Sequence, residues 1–373
     1  MRYLDIDAAK RISKIGLGTW QFGSREWGYG ESYAKREAHA IVSRALELGV
    51  TLFDTAEIYG SGRSERILGR ALGDDRESVF VATKIFPLFP AVRIVRNRAV
   101  ASANRLGVSR LDLYQVHWSN PFIGDDTIMR GMRGMQECGR VDEVGVSGYS
   151  LERWHSAERA LGSRVLTNQV AYSLVNRSPE RDLLPFAESQ GHVIIAFSPL
   201  AMGLLSGKYH RGSLPVNPAR AKDPRFHPDN LERTNHLITT LREVADAHSA
   251  IPAQIALAWV IHRSAVAAIP GASSVEQLER NVAAAEIQLA DDEYQALQAA
   301  SSRFLPSATL DAPRHPDLHA VKHLAKAAGY TAKTALYDFK SHTRRMTTPP
   351  FGSDSPPSSL TQQRTGPSRS AGG

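Results

Sequence analysis

The segment Val50–Lys84, VTLFDTAEIYGSGRSERILGRALGDDRESVFVATK, holds two short apolar runs on either side of an amphipathic stretch. The runs Val50–Asp54 and Val79–Thr83 are rich in β-branched and aromatic residues, which predicts strands. The apolar residues of Ser64–Leu72 recur at helical spacing, which predicts a helix between them. A strand, a helix and a second strand in this order place the two strands parallel in one sheet.

The same alternation continues on both sides of this segment, from about residue 12 to about residue 300. Six further apolar runs are predicted strands: Ser13–Leu17, Leu111–His117, Glu143–Ser147, Leu166–Val170, Val193–Phe197 and Val266–Ile269. Further amphipathic stretches are predicted helices: Ala34–Leu48, Val92–Leu106, Thr127–Glu137, Leu151–Leu161, Pro179–Ser189 and Pro252–His262.

Eight such units have the size of a closed TIM barrel, and an open doubly wound sheet is the competing architecture. The open sheet usually carries G-x-G-x-x-G after its first strand. Gly60–Glu65 comes near this pattern, but Glu65 stands in place of the third glycine. The predicted fold is therefore an α/β protein of the (β/α)8 TIM barrel type with a C-terminal extension.

The C-terminal part of the chain departs from the alternation. Residues 1–315 are predicted to form the barrel and residues 316–345 a candidate helical extension, in which Pro316–Tyr330 is compatible with a helix packed on the barrel. Residues 346–373 are dominated by Ser, Pro, Gly, Thr and Gln. Because so few large apolar side chains cannot offset the entropy lost on ordering, this tail is predicted to be disordered.

Composition bounds the class of protein. Hydrophobic residues make up 42% and charged residues 22%, which is ordinary for a globular chain. The single cysteine, Cys138, cannot form an internal disulfide, and the N-terminus lacks the apolar run of a signal peptide, so we expect a cytoplasmic protein. An uncharged apolar stretch of about 18 residues is absent from the sequence, which argues against a membrane span.

The formal net charge of +7 is unevenly distributed. Residues 316–373 hold eight Lys and Arg against three Asp and Glu, so five of the seven excess charges lie there. The barrel region is nearly balanced, which argues against a nucleic-acid partner. The basic tail fits either a solvated segment or a segment that binds an acidic partner.

Polar residues follow three neighbouring predicted strands, at the places where TIM barrels carry their active sites. Asp54 and Tyr59 follow the second strand, Lys84 the third and His117 the fourth. Each of the four alone also has a structural explanation, such as a turn cap, rim packing, a solvated charge or a satisfied core histidine. Together they predict a catalytic proton donor.

The chemistry of the four residues favours this combination. A free tyrosine has a pKa of about 10, and a buried Lys84 ammonium is expected to lower the pKa of Tyr59. Asp54 is expected to keep Lys84 charged and in place. A neutral His117 can hydrogen-bond a carbonyl oxygen and stabilise negative charge that develops there. The predicted partner is a small-molecule carbonyl substrate, and no metal is invoked.

Eight segments carry a resemblance to a known family: GLGTW (Gly16–Trp20), LFDTAEIYGSGRSE (Leu52–Glu65), ATK (Ala82–Lys84), LDLYQVHW (Leu111–Trp118), VGVSGYS (Val144–Ser150), NQVAYSLVNR (Asn168–Arg177), SPLAMGLLSGKY (Ser198–Tyr209) and IPGASSVEQLERN (Ile269–Asn281). In this order and spacing, over about residues 1–305, the chain resembles the aldo-keto reductase superfamily. The run D-T-A-x-x-Y-G with the later Lys and His is the most specific part. The chain is similar to the branch that includes the potassium-channel β-subunits.

This resemblance implies NADP(H) bound in an extended pose across the barrel mouth. The residues expected at the nicotinamide end are Thr19, Trp20 and Asp54, with Ser147 and Gln169 at the carboxamide and Phe197 stacked on the ring. Those expected along the pyrophosphate are Ser198, Pro199, Leu200 and Lys208. Those expected around the adenosine 2′-phosphate are Gly271, Ser273, Gln277 and Asn281. Ser274 and Gln277 also fit a capping box that opens a helix, whose free N–H groups suit a phosphate.

Two positions depart from the family pattern. Gly148 stands where members commonly have Asn, so one carboxamide contact is lost or is replaced by water or backbone. Ser273 stands where many members have a cation, which weakens the argument for NADP over NAD. Lys208 and an arginine of the Arg211–Arg225 loop are expected to supply the positive charge instead.

The predicted function is reduction of an aldehyde or ketone to an alcohol, with Tyr59 as the proton donor. The alternative, which the resemblance also permits, is a nucleotide-bound protein that senses redox state with little turnover. Four aromatic residues are predicted either to line a substrate pocket or to pack at the barrel rim: Trp20, Phe86, Trp118 and Tyr149.

Overall fold

The computed structural model describes residues 1–302 except 6, 8, 9, 24–30, 88–90, 120–123 and 216. For residues 31–35, 218 and 219 it describes the backbone alone. The predicted extension at 316–345, the predicted tail at 346–373 and the boundary between barrel and extension lie outside the described residues.

In the described part of the chain, eight strands form one parallel sheet in which each strand pairs with the next along the sequence. They are β1 (Leu17–Gly18), β2 (Leu52–Asp54), β3 (Phe80–Ile85), β4 (Leu111–Val116), β5 (Val141–Ser147), β6 (Thr167–Ala171), β7 (Val193–Phe197) and β8 (Val266–Ala268). Parallel bridges from Ile15 to Ala268 and from Gly18 to Gly271 join β8 back to β1. The sheet therefore closes into the predicted barrel, and each predicted strand overlaps an observed one.

Helices pack around this barrel. They are α1 (Trp20–Gly23), α2 (Glu31–Glu47), α3 (Arg63–Leu72), α4 (Val92–Leu106), α5 (Asp125–Glu137), α6 (Leu151–Leu161), α7 (Leu183–Gln190), α8 (Pro218–Ala221), α9 (Pro228–Ala247), α10 (Pro252–Val260), α11 (Val275–Ala283) and α12 (Asp291–Ser302). Within the residues described, none of these helices is long and apolar enough to cross a membrane.

The helix predicted at Pro179–Ser189 differs from the structure. A 3-10 turn covers Ser178–Glu180, and α7 begins only at Leu183. Asp182, with φ −143° and ψ −42°, lies outside the helical region and separates the two. The prediction therefore merged two elements that the backbone keeps apart.

Two apolar layers stabilise the barrel. Leu52 and Phe80 belong to the cluster inside it, whereas Phe53 and Tyr114 belong to the larger cluster between strands and helices. Leu52 and Phe53 are neighbours in β2 and face opposite layers, as the alternation of side chains along a strand requires. Full burial of such a side chain contributes roughly 2 kcal/mol. Strands buried on both faces explain the continuous apolar runs in the sequence.

The N-terminal segment covers the end of the barrel at which the strands begin. Tyr3 pairs with Ser13 in an antiparallel bridge, and Lys10 Nζ lies 2.7 Å from Asp112 Oδ1. Cys138, exposed at the C-terminal end of α5, lies at the same end, because each helix runs back from the end of one strand to the start of the next. The opposite end remains available to the candidate site.

Candidate active site

Four polar side chains meet at the C-terminal ends of the strands. Asp54 ends β2, Tyr59 lies in the following loop, Lys84 lies near the end of β3 and His117 directly follows β4. Lys84 Nζ is 2.7 Å from Asp54 Oδ2 and 3.4 Å from Tyr59 Oη. The rings of Tyr59 and His117 meet edge to face with centroids 5.6 Å apart. The structure thus brings the four predicted residues together.

The Lys84 ammonium is fully buried, so its charge depends on its neighbours. It donates to the Asp54 carboxylate and, at 2.8 Å, to the carbonyl oxygen of Thr55. Burial alone lowers the pKa of Lys84, but the Asp54 carboxylate raises it and the net shift is upward. Lys84 therefore stays protonated near neutral pH, as predicted.

The pKa of Tyr59 moves in the direction opposite to the prediction. Burial raises the pKa of Tyr59, the Lys84 ammonium counteracts this rise and Asp54 adds to it, so the net shift is upward. The predicted lowering was wrong, because the cost of desolvating a phenolate exceeds the attraction of the ammonium. Tyr59 accordingly keeps its proton near neutral pH, which is the form that a proton donor needs.

The His117 ring is neutral near pH 7. Burial, with a further contribution from the Lys84 ammonium, lowers the pKa of His117 well below its ordinary value. Among the described residues no group hydrogen-bonds Nδ1 of this ring. No neighbour there holds the proton on Nδ1, so Nε2 can carry it and donate it to an oxygen.

Asp54 connects the cluster of Asp54, Tyr59, Lys84 and His117 to β6 and, through Gln169, to β5. Its Oδ1 accepts a hydrogen bond of 2.7 Å from Gln169 Nε2, and the Ser147 hydroxyl donates to the carbonyl oxygen of Gln169 at 2.9 Å. Gly148, which follows Ser147 in the chain, has φ 67°, and a Cβ placed on it would meet no atom within 4 Å. The structure thus places Gln169 beside Asp54 and Ser147 beside Gln169, with open space around the Cα of Gly148.

Aromatic rings form a wall next to His117. Phe86 and Trp118 meet edge to face at 4.6 Å between centroids, and the His117 ring is 4.7 Å from that of Trp118. Tyr149 does not belong to this wall, because it is 2% exposed and its hydroxyl donates to Asp125 Oδ1 at 2.8 Å. For Tyr149, packing at the rim was the correct alternative.

Two other aromatic side chains at the barrel mouth are partly exposed to solvent. Phe197 is 37% exposed although the rest of β7 is buried, and Trp20 is 40% exposed. Directly after Phe197 the backbone enters the left-handed region at Ser198, with φ 50°, and again at Ala201 and Met202, with φ 47° and 60°. Such strained non-glycine residues cluster at functional sites.

The loop after β8 presents backbone N–H groups at the start of α11. The Ser274 hydroxyl accepts from the Gln277 N–H at 3.1 Å, which caps the helix. The Gln277 side chain returns to Ser273, whose N–H donates to it at 2.9 Å, rather than to Ser274. The predicted capping box is therefore present in a form shifted by one residue. Gly271 and Gln277 are exposed here.

Two residues expected at the cofactor face inward instead. Thr19 is fully buried, and its hydroxyl donates to the carbonyl oxygen of Asp54 at 2.9 Å. Asn281 is buried and donates to the carbonyl oxygen of Gly271. Both side chains support the backbone of the barrel mouth, and their roles at the cofactor stay predictions. The residues expected along the pyrophosphate, in the loop after β7, differ in accessibility: Lys208 is exposed, whereas Pro199 is buried.

Sequence reasoning missed two residues that hold the mouth together. Glu57, buried in the same loop as Tyr59, accepts the Phe86 N–H at 2.5 Å and pairs with Arg98. Gln21 Nε2 donates to the carbonyl oxygen of Ala272 at 2.8 Å and so ties α1 to the turn after β8. A carboxylate within D-T-A-E-I-Y was a signal for Glu57, but its partner lies 41 residues away.

Comparison with known proteins places this geometry in a family. The model of the aldo/keto reductase family matches residues 14–302. The chain belongs to the aldo/keto reductase family. An uncharacterized oxidoreductase of Mycobacterium tuberculosis is 54% identical to this aldo/keto reductase over 309 residues, covering 83% of this chain and 95% of the relative.

Two further proteins are similar to this aldo/keto reductase. The methylglyoxal reductase YeaE of Escherichia coli is 33% identical over 294 residues, covering 78% of this chain and 91% of that protein. An aldo-keto reductase of Klebsiella pneumoniae, solved in complex with NADPH, is 27% identical with a TM-score of 0.66, covering 82% of this chain and 96% of that one. The family membership makes this chain an oxidoreductase with the predicted barrel.

Proposed function

We propose that this aldo/keto reductase uses NADPH to reduce a small aldehyde or ketone, with Tyr59 as the proton donor. The observation that carries the proposal is the buried chain from Asp54 through Lys84 to the Tyr59 hydroxyl, with 2.7 Å and 3.4 Å between successive groups. A proton donor of this kind needs a charged partner that is itself held in place, and Asp54 provides that for Lys84.

Each of the four residues has a separate task in this proposal. Tyr59 gives its proton to the carbonyl oxygen, and the Lys84 ammonium stabilises the phenolate that forms. The neutral His117 donates a hydrogen bond to the same oxygen, orients it and stabilises the charge that develops there. When bound, NADPH supplies the hydride for the carbonyl carbon. Hydride and proton together convert C=O into CH–OH.

The residues at the mouth fit an extended dinucleotide. Phe197, 37% exposed, would stack on the nicotinamide ring, and Ser147, Gln169 and Trp20 would contact the same end of the cofactor. The strained loop from Ser198 leads on to Leu200 and Lys208 along the proposed pyrophosphate path. Gly271, Ser273 and Gln277 would hold the 2′-phosphate at the capped start of α11. The NADPH complex of the Klebsiella pneumoniae relative supports this cofactor.

The substrate class is proposed from the pocket and from a relative. Phe86 and Trp118 form an apolar wall next to His117, which suits a small carbonyl compound rather than a charged one. The name of the YeaE relative, a methylglyoxal reductase, supports a small reactive aldehyde. Methylglyoxal is therefore the first substrate to assay.

Substitution of Tyr59 by Phe tests the mechanism. Tyr59→Phe keeps the ring and removes the proton, so kcat should fall by at least about a hundredfold while NADPH binding survives. The matched control is Tyr114→Phe, which removes a fully buried hydroxyl of β4 that has no hydrogen-bond partner among the described residues. The control should keep full activity, and its free energy of unfolding should stay equal or rise by about 1 kcal/mol.

NADPH consumption, measured with methylglyoxal as substrate, separates the possible outcomes. Near wild-type turnover of Tyr59→Phe would overturn the assignment of the donor. A single slow turnover of bound cofactor by the wild type, across a panel of aldehydes, would instead favour the redox-sensing alternative.

A further inference from the structure

The backbone of the Tyr59 loop is pressed against α1. At the last residue of α1, Gly23, an added Cβ would lie 2.5 Å from the carbonyl carbon of Tyr59 and 2.8 Å from the Gly60 nitrogen. At Gly60, an added Cβ would lie 2.9 Å from the Gly23 Cα. Two facing glycines therefore let two backbones touch at the residue that carries the proposed proton donor.

The same loop is also held by hydrogen bonds from the start of α3. The Ser64 N–H donates to the Tyr59 carbonyl oxygen and the Arg63 N–H to that of Gly60, both at 3.2 Å. Ser64 is fully buried, and its hydroxyl donates to the carbonyl oxygen of Thr19 at 2.7 Å, just before α1. The Tyr59–Gly60 peptide thus touches the end of α1 and is hydrogen-bonded to the start of α3, so a side chain at Gly23 could displace it only against that hydrogen bond.

The side chain of Tyr59 has little tolerance for a shift of this peptide. Its hydroxyl lies 3.4 Å from Lys84 Nζ, near the outer limit of a hydrogen bond. A displacement of about 1 Å in a catalytic group can reduce the rate by about a hundredfold.

From these contacts we propose that Gly23 is a positioning residue for proton transfer, because its missing side chain lets α1 set the place of the Tyr59 hydroxyl. The proposal rests on Tyr59 being the proton donor. Because Trp20 begins the same short helix, α1 then fixes the donor and one side of the cofactor mouth together.

Matched alanine substitutions separate this role from a general effect of adding a methyl group. Gly23→Ala is compared with Gly134→Ala in α5, where an added Cβ meets no atom within 4 Å. Gly60→Ala, at φ 57°, is compared with Gly139→Ala, at φ 67°, where the same space is open. Gly60 and Gly139 share the strain of a positive φ, Gly23 and Gly134 have no positive φ, and within each pair the two positions differ in the contact with the Tyr59 loop.

The decisive readout is a double-mutant cycle with Tyr59→Phe. We expect Gly23→Ala to lower kcat with methylglyoxal by about tenfold or more, with a smaller effect on the NADPH Kd, and to leave the residual kcat of Tyr59→Phe unchanged. Gly60→Ala should behave likewise, whereas Gly134→Ala and Gly139→Ala should match the wild type.

Two outcomes would overturn the proposal while leaving the function intact. One is an equal loss of kcat for Gly23→Ala in the wild-type and Tyr59→Phe backgrounds. The other is failure of both Gly23→Ala and Gly60→Ala to fold, judged by circular dichroism, while both controls fold, since the contact would then serve the barrel rather than the donor. Full activity of Tyr59→Phe would instead remove the proposed function itself.

Discussion

At the scale of single residues, His117 combines a neutral ring with a buried position. Its pKa is lowered in the folded chain by burial and by Lys84, so as the pH falls the unfolded chain binds the extra proton first. The stability that depends on neutral His117 is complete above the unfolded pKa of about 6.5 and declines as the pH falls below it.

This linkage predicts a measurable pH dependence. Between about pH 8 and about pH 5, the free energy of unfolding should fall less in His117→Asn, which cannot titrate there, than in the wild type. Urea unfolding of both proteins at both pH values measures the difference. Equal losses would mean that His117 titrates normally in the folded chain. The wild-type kcat/KM should also show no inflection near 6.5 from this ring.

Gly148 offers a second test at the residue scale. The family commonly has Asn at this position, φ is 67°, and the space beyond its Cα is open. Because Asn tolerates the left-handed region, Gly148→Asn should fold and add one hydrogen bond to the nicotinamide carboxamide. We expect NADPH to bind about fivefold more tightly, for about 1 kcal/mol. Gly139→Asn, also at φ 67° with open space, is the control for fluorescence titration, and an equal Kd in both would contradict the placement.

At the scale of elements, the strands could be predicted and several side-chain roles could not. Strands covered on both faces are mostly apolar, so the eight strand positions leave a local signature, although β6 also buries Asn168 and Gln169. The helices α1, α8, α9 and α12 lie outside those predicted. Thr19 was placed at the mouth, but its inward orientation depends on Ser64, 45 residues away, and distant partners leave no local pattern. The same reason hid the pairing of Glu57 with Arg98.

The capped start of α11 leads to a prediction about cofactor choice. Its N–H groups and the exposed Lys208 favour an additional phosphate, so NADPH should bind more tightly than NADH. Lys208→Met should reduce the ratio of the NADH Kd to the NADPH Kd. Arg70→Met removes the same charge from the exposed side of α3 and should leave this ratio unchanged. Fluorescence titrations with both nucleotides decide the question, and equal or tighter binding of NADH by the wild type would refute the preference.

At the scale of the whole molecule, the sequence separates a barrel from a tail. Deletion of Met346–Gly373 should leave the melting temperature and kcat within error of the full chain, since the segment carries only Met346, Phe351 and Leu360 as sizeable apolar side chains. A cut before Pro316 should be damaging, because residues 316–330 have helical apolar spacing. Loss of activity or of several degrees of stability in the shorter deletion would show that the tail packs on the enzyme.

The position of Cys138 also has a practical use. It is the one cysteine of the sequence, it is exposed, and it lies at the end of the barrel opposite the site. A maleimide reagent coupled to this thiol would therefore label the protein once, and a chip or bead carrying that reagent would hold every molecule with its mouth facing the solution. Immobilised enzyme oriented in this way should keep its access to nucleotide and aldehyde, and a dye at the same atom should report on tumbling without touching catalysis.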